Sequence, residues 1–357
     1  MDDPLHVVRY KKSDRPAVFA FLREATSGAA SERLIRQWDW KYDANPFNLD
    51  GEPYILLLKD GSTVAAMLGS IPVRVAIMGN ERRVGQTGDW VVHPAYRGRG
   101  LSGRLLSHCL VDIPLRFAWA NAISHRAARA ATAHSVPLAP LIKPLDVGRI
   151  VQRLTGNRWL SRWSGSLTEG IRGLTRRTHR EPTVADVSVA EATTFGPGSD
   201  ALWQQVRSDY PVMVVRDQRY LNWRFVERPD ARYTVLIATR EAELVGYLVL
   251  RLADQAGMRW GYLVDFLVQH KSPALLGLLV DAGIERLRQH GAAAISCRAT
   301  MPPYRQTIRS RGFYPFRWGP QAYFYMRVEL PDPSLQVFRD ERQWFVTMGD
   351  GDLEMVF

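Results

Sequence analysis

Runs of apolar residues in the first half of the chain predict a β-meander followed by a helix. Residues 54–58 and 63–67 are apolar and flank a short polar turn, a pattern typical of a β-hairpin. A third apolar run at 89–93 predicts a further strand, and the amphipathic spacing over 101–111 predicts a helix. The apolar run at 117–122 then predicts a closing strand.

The second half of the chain repeats this order of elements. Its patterns predict strands at 233–237, 244–249 and 265–269, a helix at 272–290 and a closing strand at 292–297. An aromatic–basic–aromatic motif opens each series, beginning at Trp40 in the first and at Trp223 in the second. The sequence therefore predicts an α+β protein made of two similar units in tandem. Each unit is expected to be a mostly antiparallel mixed sheet flanked by helices.

The segment between the two series has a different character, because it is rich in arginine and has loosely helical apolar spacing. We therefore expect an N-terminal unit at 1–145, a basic helical connector at 146–185, a C-terminal unit at 186–330 and a tail at 331–357. The arginines between 149 and 180 allow two interpretations. They form either the solvated face of a packed helix or a basic amphipathic helix that makes peripheral contact with an anionic membrane.

The bulk composition is that of a soluble globular protein, with 46% hydrophobic and 23% charged residues in a chain of 357. That length predicts more than one domain. No apolar run approaches the roughly 18 residues of a membrane span, and the acidic start at Met1 to Pro4 predicts no secretory signal. Cys109 and Cys297 are too few for a disulfide framework, so a cytoplasmic location is expected.

The formal net charge is +11, which attracts polyanions such as nucleic acid, anionic lipid or a phosphorylated small molecule. Beyond charge, the sequence shows no nucleic-acid-binding module, so nucleic acid is not the expected partner. Neither cysteine has a metal-ligand neighbour at usable spacing, so no metal is expected. The oligomeric state stays open.

The sharpest local motif is the loop Arg97-Gly98-Arg99-Gly100-Leu101-Ser102, which lies between an apolar strand and an amphipathic helix. Its glycines let the backbone approach a ligand closely, and the following helix offers unpaired N–H groups and a positive dipole end. Together these features predict a pyrophosphate cradle. The motif is neither the dinucleotide fingerprint nor a Walker loop, because it lacks the Gly-Lys-Ser/Thr ending.

This loop resembles the acyl-CoA loop of the GCN5-related N-acetyltransferase (GNAT) superfamily, whose pattern is Gln/Arg-x-x-Gly-x-Gly/Ala. Residues 97–101 fit its first five positions, and Ser102 replaces the last small residue. In the second unit the matching strand continues into 270–277 without an arginine–glycine cradle. The resemblance therefore implies one acetyl-CoA site per chain, in the first unit.

The resemblance also implies which groups hold the cofactor. Backbone atoms of Val91 and Val92 are expected to bind the pantetheine arm, and Asn121 is expected near the thiol. The pyrophosphate is expected to contact backbone N–H groups of the loop, with charge added by its arginines. The residues implied are Arg97, Gly98, Arg99, Gly100, Leu101, Ser102 and Gly103.

Transfer of an acyl group to an amine requires a neutral amine and therefore a base. Asp89, just before the cofactor strand, is the first candidate, although Asp265 holds the matching place in the unit without the loop and favours a structural role. His134 is a second candidate. The N–H of Val91 or Val92 is expected to stabilise the oxyanion. The closing helix lacks the tyrosine that the family often uses as general acid.

Tyr42 and Asn45 belong to the segment that lines acceptor sites in the family, so they are expected to contact substrate, although aromatic residues at this spacing also form cores. The leading hypothesis is an acyl-CoA-dependent N-acyltransferase that acts on a primary amine of a small molecule such as an amino sugar. Two alternatives stay open. One is a non-catalytic acetyl-CoA-binding sensor or scaffold, and the other is a basic protein that binds membranes or nucleic acid.

Overall fold

The computed structural model describes residues 5–49, 51–120, 125, 135–155, 184, 186–255, 257–316 and 322–351. Two mixed sheets with helices on their faces form the fold, so the predicted α+β class is confirmed. The strands are β1 (Leu5–Arg9), β2 (Tyr54–Asp60), β3 (Thr63–Ile77), β4 (Asn80–Val92), β5 (Leu115–Ala120), β6 (Ser135–Leu138), β7 (Leu141–Pro144), β8 (Val187–Ala192), β9 (Val212–Val214), β10 (Tyr233–Arg240), β11 (Glu243–Gln255), β12 (Met258–Val268), β13 (Ala294–Cys297), β14 (Tyr314–Pro315), β15 (Ala322–Val328) and β16 (Trp344–Phe345). The helices are α1 (Arg15–Ala25), α2 (Gly28–Arg36), α3 (Leu101–Asp112), α4 (Val147–Thr155), α5 (Gly198–Val206), α6 (Gln218–Phe225), α7 (Pro273–Gln289), α8 (Pro302–Ser310) and α9 (Gln336–Arg339).

The strand order of each sheet follows the repeat seen in the sequence. The first sheet runs β1-β2-β3-β4-β5-β15-β6, with β9 on β3 and β16 on β9. The second runs β14-β7-β13-β12-β11-β10-β8. In both, an antiparallel meander leads into a helix and then a parallel strand, so β4 with β5 matches β12 with β13. Two sheets of this kind fit the predicted tandem arrangement.

The two sheets exchange strands across the predicted unit boundaries. Strand β15, from near the C-terminal end, lies between β5 and β6 in the first sheet. Strand β7, from the first half, lies between β13 and β14 in the second. The division at 145 and 186 stays a prediction about the chain, but the hydrogen bonding does not follow it. One consequence is that residues 325–327 lie beside β5 of the first unit.

The repeated tryptophan motifs meet each other between the two units. The rings of Trp40 and Trp223 stack at 4.9 Å between centroids with an interplanar angle of 18°. The indole N–H of Trp40 donates to the carbonyl oxygen of Trp223 at 2.7 Å, and the indole N–H of Trp223 donates to the carbonyl oxygen of Trp40 at 3.1 Å. This reciprocal contact shows that the motif at least partly serves packing, because each copy satisfies the polar group of the other.

The predicted connector begins with α4, where Arg149 pairs with Asp146 at 3.2 Å. Residues 156–183 lie outside the described residues, so both interpretations of the basic connector stay predictions. Within the described ranges, no helix combines the length and the apolar character needed to cross a bilayer.

Candidate active site

A cleft opens in the first sheet where β4 and β5 separate. The two strands pair in parallel only from Gly85 opposite Arg116 to Thr87 opposite Ala118. Just beyond this point the register of β4 on β3 shifts, and Asp89 has a φ of 48°, a left-handed value that is uncommon for residues other than glycine. Because such a bulge bends its strand, the end of β4 turns away from β5.

The cleft contains a cavity of about 260 Å³. Its walls are residues 87–90 of β4, 116–120 of β5 and 325–327 of β15, together with Leu68 and Leu106. The C-terminal segment lies next to it, because the carbonyl oxygen of Asp350 accepts hydrogen bonds from Trp119 Nε1 at 3.0 Å and from Gln86 Nε2 at 3.1 Å.

The glycine-rich loop follows the open end of this cleft. His93 Nδ1 accepts the N–H of Ala95 and so begins the turn at Pro94–Tyr96. Gly98 and Gly100 have φ values of 81° and 72°, in the left-handed region that favours glycine. The N–H groups of residues 103 and 104 bond to Gly100 O. Those of 98–102 have no acceptor in the described part of the chain, so these donors are open to a ligand at the start of α3, and their contact with a pyrophosphate stays a prediction.

Both loop arginines fold back onto the loop. Arg97 Nε donates to Val92 O at 3.4 Å, and Arg99 Nη2 donates to Ala95 O at 3.5 Å. The guanidinium of Arg99 also lies 5.1 Å from the centroid of the Tyr96 ring. Bonds of this length are weak, so either side chain can turn toward a phosphate at little cost. Their contact with the cofactor stays a prediction.

The backbone of Val92 faces the open side of β4. The N–H of His93 bonds to Ala65 O on β3 at 2.9 Å. Because backbone groups alternate between the two edges of a strand, those of Val91 turn toward β3 and those of Val92 toward the cleft. The contact from Arg97 to Val92 O agrees with this orientation. Of the two predicted backbone donors, Val92 is therefore the one exposed to a ligand between the strands.

Asp89 lies at the cavity and is held by two side chains of the tryptophan motif. Its Oδ2 accepts the Tyr42 hydroxyl at 2.6 Å and pairs with Lys41 Nζ at 2.8 Å. The hydroxyl of Tyr42 sits over Gly69 on β3, where a Cβ atom would lie 2.0 Å from it. The predicted substrate contact Tyr42 is thus adjacent to the predicted base, although its own side chain is buried.

The matching aspartate of the second unit is in a different environment. Asp265 is buried and binds Arg216 at 3.1 Å, the Tyr247 hydroxyl at 2.7 Å and the Thr347 hydroxyl at 2.6 Å. Both units therefore keep an aspartate joined to a cation and a tyrosine. The side chain of Asp89 is 13% exposed and lines a cavity, whereas that of Asp265 is 2% exposed. Only the first has access to a ligand.

The remaining predicted residues have other surroundings. Asn45 is buried in a turn, where its Nδ2 donates to Lys41 O at 3.1 Å and its Oδ1 accepts the N–H of Phe47 at 2.8 Å. Its contact with substrate stays a prediction. Asn121 and His134 lie outside the described residues, so their roles stay predictions too. The described residues contain no cluster of His, Cys, Asp and Glu side chains that could hold a metal ion.

Sequence reasoning missed several polar residues of the cavity. Arg116 is 4% exposed and lines the cavity, and the sequence signal for it was a charged residue inside an apolar strand. Tyr325 lines the same cavity and its hydroxyl hydrogen-bonds to His125 Nδ1. Because β15 joins β5 only through the strand exchange, nothing in the local sequence could place Tyr325 here.

Comparisons with known proteins agree with this geometry. Residues 6–121 match the family model for the acetyltransferase (GNAT) domain. No curated protein sequence matches this chain.

Solved structures match over most of the chain. Yeast (Saccharomyces cerevisiae) N-myristoyltransferase with bound myristoyl-CoA has a TM-score of 0.56 at 12% identity, covering 92% of this chain and 83% of that one. A GCN5-related N-acetyltransferase from Anabaena variabilis has a TM-score of 0.58 at 11% identity, covering 90% and 72%. A conserved Enterococcus faecalis protein of unknown function has a TM-score of 0.57 at 13% identity, covering 94% and 75%. At these identities the likeness shows the fold alone.

Proposed function

We propose that this chain, a GNAT-superfamily protein whose residues 6–121 match the acetyltransferase (GNAT) domain, is an acyl-CoA-dependent N-acyltransferase with one donor site. The observation that carries the proposal is a cavity between the splayed strands β4 and β5, with a loop at its mouth whose backbone N–H groups have no acceptor among the described residues. A proposed acceptor is a primary amine on a small molecule, such as an amino sugar.

The residues present suit coenzyme A. The exposed N–H groups of 98–102 and the N-terminus of α3 offer the donors and positive dipole that a pyrophosphate needs. The carbonyl oxygen of Val92, which faces the cleft, offers an acceptor to an amide N–H of a pantetheine arm. When bound, acyl-CoA would supply an activated thioester carbonyl to the cleft.

Asp89 is the proposed base for the acceptor amine. In the described part of the chain its partners Tyr42 and Lys41 both bind Oδ2, so Oδ1 is available to an incoming ammonium group. An ammonium ion must lose a proton before it attacks a carbonyl, and a positioned carboxylate can take that proton directly or through water. Tyr42 and Lys41 hold the carboxylate in place.

Two further groups are proposed to assist. The N–H of Val92, on the open edge of β4, can stabilise the oxyanion of the tetrahedral intermediate. Tyr325, whose hydroxyl hydrogen-bonds to His125, can donate a proton to the departing thiolate from the opposite wall. This pair would replace the tyrosine that is missing from the predicted closing helix.

A thiol-release assay tests the proposal directly. Purified protein is incubated with acetyl-CoA and a panel of amino sugars, their phosphates, amino acids and short peptides. The matched control for each amine is its hydroxyl counterpart, such as glucose for glucosamine. We expect release of free thiol that depends on one class of amine. Acyl-CoA binding without amine-dependent release would favour the sensor alternative instead.

A further inference from the structure

The cavity contains a buried arginine that forms no salt bridge with any of the described residues. Arg116 lies on β5 opposite Gly85, at the closed end of the cleft where β4 and β5 still pair. Its Nη1 and Nη2 atoms are buried and bond to no oxygen or nitrogen of the described residues. A buried charge without compensation is costly, so natural proteins rarely keep one without a use.

The side chains around Arg116 do not neutralise it. Arg327 is its direct cross-strand partner on β15, and like charges in that position repel. Glu329 is bound to Arg327. The Cys109 thiol lies beside the guanidinium, but burial raises the pKa of this thiol and keeps it neutral. The described surroundings are therefore net positive at the closed end of the cleft.

Further unsatisfied polar atoms line the same cavity. Thr87 Oγ1 and Trp90 Nε1 are buried and have no oxygen or nitrogen partner in the described part of the chain, and the Thr87 hydroxyl lies beside the Cys109 thiol. Together with Arg116 they offer several donors to one small space. A hydroxyl, an indole N–H and a guanidinium are groups that a carboxylate accepts from.

The size of the cavity limits what can enter. A volume of about 260 Å³ equals roughly nine water molecules at about 30 Å³ each, which is more than the three heavy atoms of an acetyl group occupy. The hydrogen-bond donors of Arg116, Thr87 and Trp90 at the closed end of the cleft disfavour a long hydrocarbon chain. Methylene groups packed against these donors would leave them without hydrogen-bond partners. A short acyl chain that ends in a polar group fits both limits.

We propose that Arg116 binds a terminal carboxylate on the acyl group, so that the preferred donor is the CoA thioester of a short dicarboxylic acid. The inference rests on the proposed function, since it takes the cleft between β4 and β5 as the acyl site. The carboxylate forms charge-assisted hydrogen bonds with Nη1 and Nη2 of Arg116. Thr87 and Trp90 supply the neighbouring donors.

The test compares two thioesters of equal chain length. Succinyl-CoA and butyryl-CoA both carry four acyl carbons and differ in the carboxylate at the end. Calorimetry measures their dissociation constants, and that of CoA alone, for the wild type and for Arg116→Met, Arg116→Lys and the exposed control Arg342→Met. A further titration adds free amino acids to the CoA-bound protein, to detect a carboxylate carried by the acceptor.

We expect the wild type and Arg342→Met to bind succinyl-CoA at least about tenfold tighter than butyryl-CoA, a difference of about 1.4 kcal/mol. Arg116→Met should lose this preference while keeping its affinity for CoA, and Arg116→Lys should retain part of it. Equal wild-type affinities for the two thioesters would overturn the inference and leave the proposed function standing. Amino-acid binding that depends on Arg116 would also overturn it, by assigning the carboxylate to the acceptor. If folded wild type binds no CoA, the proposed function fails and the inference fails with it.

Discussion

Replacing Arg116 by methionine should make the ligand-free protein more stable, although it removes a charged residue from the proposed site. The arginine is 4% exposed, and its Nη1 and Nη2 bond to no oxygen or nitrogen in the described part of the chain. Methionine keeps an unbranched apolar stem of similar reach and removes the charge that burial penalises. Burial also lowers the pKa of Arg116, because it disfavours the charged form of the guanidinium.

The expected gain is moderate because the cavity is large enough to admit water. Replacing a buried ion pair by apolar residues of similar volume is often neutral or stabilises a protein by up to about 4 kcal/mol, and an arginine without an ionic partner has no pair energy to lose. Water in a space of about 260 Å³ can partly solvate the guanidinium, so we expect the lower part of that range, about 1–2 kcal/mol in the free energy of unfolding. At about 2–4 °C per kcal/mol for domains of this size, Tm should rise by about 2–8 °C.

Scanning calorimetry and urea denaturation of the ligand-free protein measure this change. The control is Arg342→Met, whose arginine side chain is 84% exposed and which should change stability by less than about 0.5 kcal/mol. A loss of stability in Arg116→Met, with the control unchanged, would refute the reasoning. It would show that the guanidinium already has a stabilising partner within the ligand-free protein.

Three other predictions follow from single contacts. Gly69→Ala places a methyl group 2.0 Å from the Tyr42 hydroxyl, so the hydroxyl should move away from Asp89. The rate of acyl transfer should then fall by about 10²-fold, while the affinity for CoA measured by calorimetry stays unchanged. Asp89→Asn removes the proposed base and should lower kcat by about 10²–10⁴-fold in the thiol-release assay, whereas unchanged kcat would exclude this role. Burial raises the pKa of Cys297 to about 12, so a thiol reagent at mildly alkaline pH should label this cysteine only after unfolding. Labelling of Cys297 in the native protein would contradict the burial of its side chain.

The order of elements could be read from the sequence because hydrophobic patterns are local. The predicted hairpin, helix and closing strand correspond to β2, β3, α3 and β5 of the structure. Strand β4 was predicted only at 89–93, since its earlier part, from Asn80, is polar and partly exposed. The exchange of β7 and β15 could not be predicted, because a strand's own pattern does not specify which neighbour it pairs with.

Only the part of the candidate site that is contiguous in the sequence could be predicted from the sequence. The loop at 97–103 was evident because its glycines, its arginines and the following helix are contiguous in sequence. The grouping of Lys41, Tyr42, Gly69 and Asp89 depends on packing between distant segments, although the sequence suggested Tyr42 and Asp89. Arg116 and Tyr325 line the same cavity only because β5 pairs with β15. Their shared place in the cavity became visible only with the fold.

The central claim is that acyl-CoA binds at the glycine-rich loop, and calorimetry with acetyl-CoA tests it most directly. Gly100→Trp introduces a large side chain at a position with a φ of 72°, where the loop meets α3. Gly291→Trp is the matched control, because Gly291 has a φ of 78° and open space around it in the second unit. We predict binding of about one molecule per chain for the wild type and the control, and none for Gly100→Trp. Binding that survives in folded Gly100→Trp, or no binding by the folded wild type, would contradict the account.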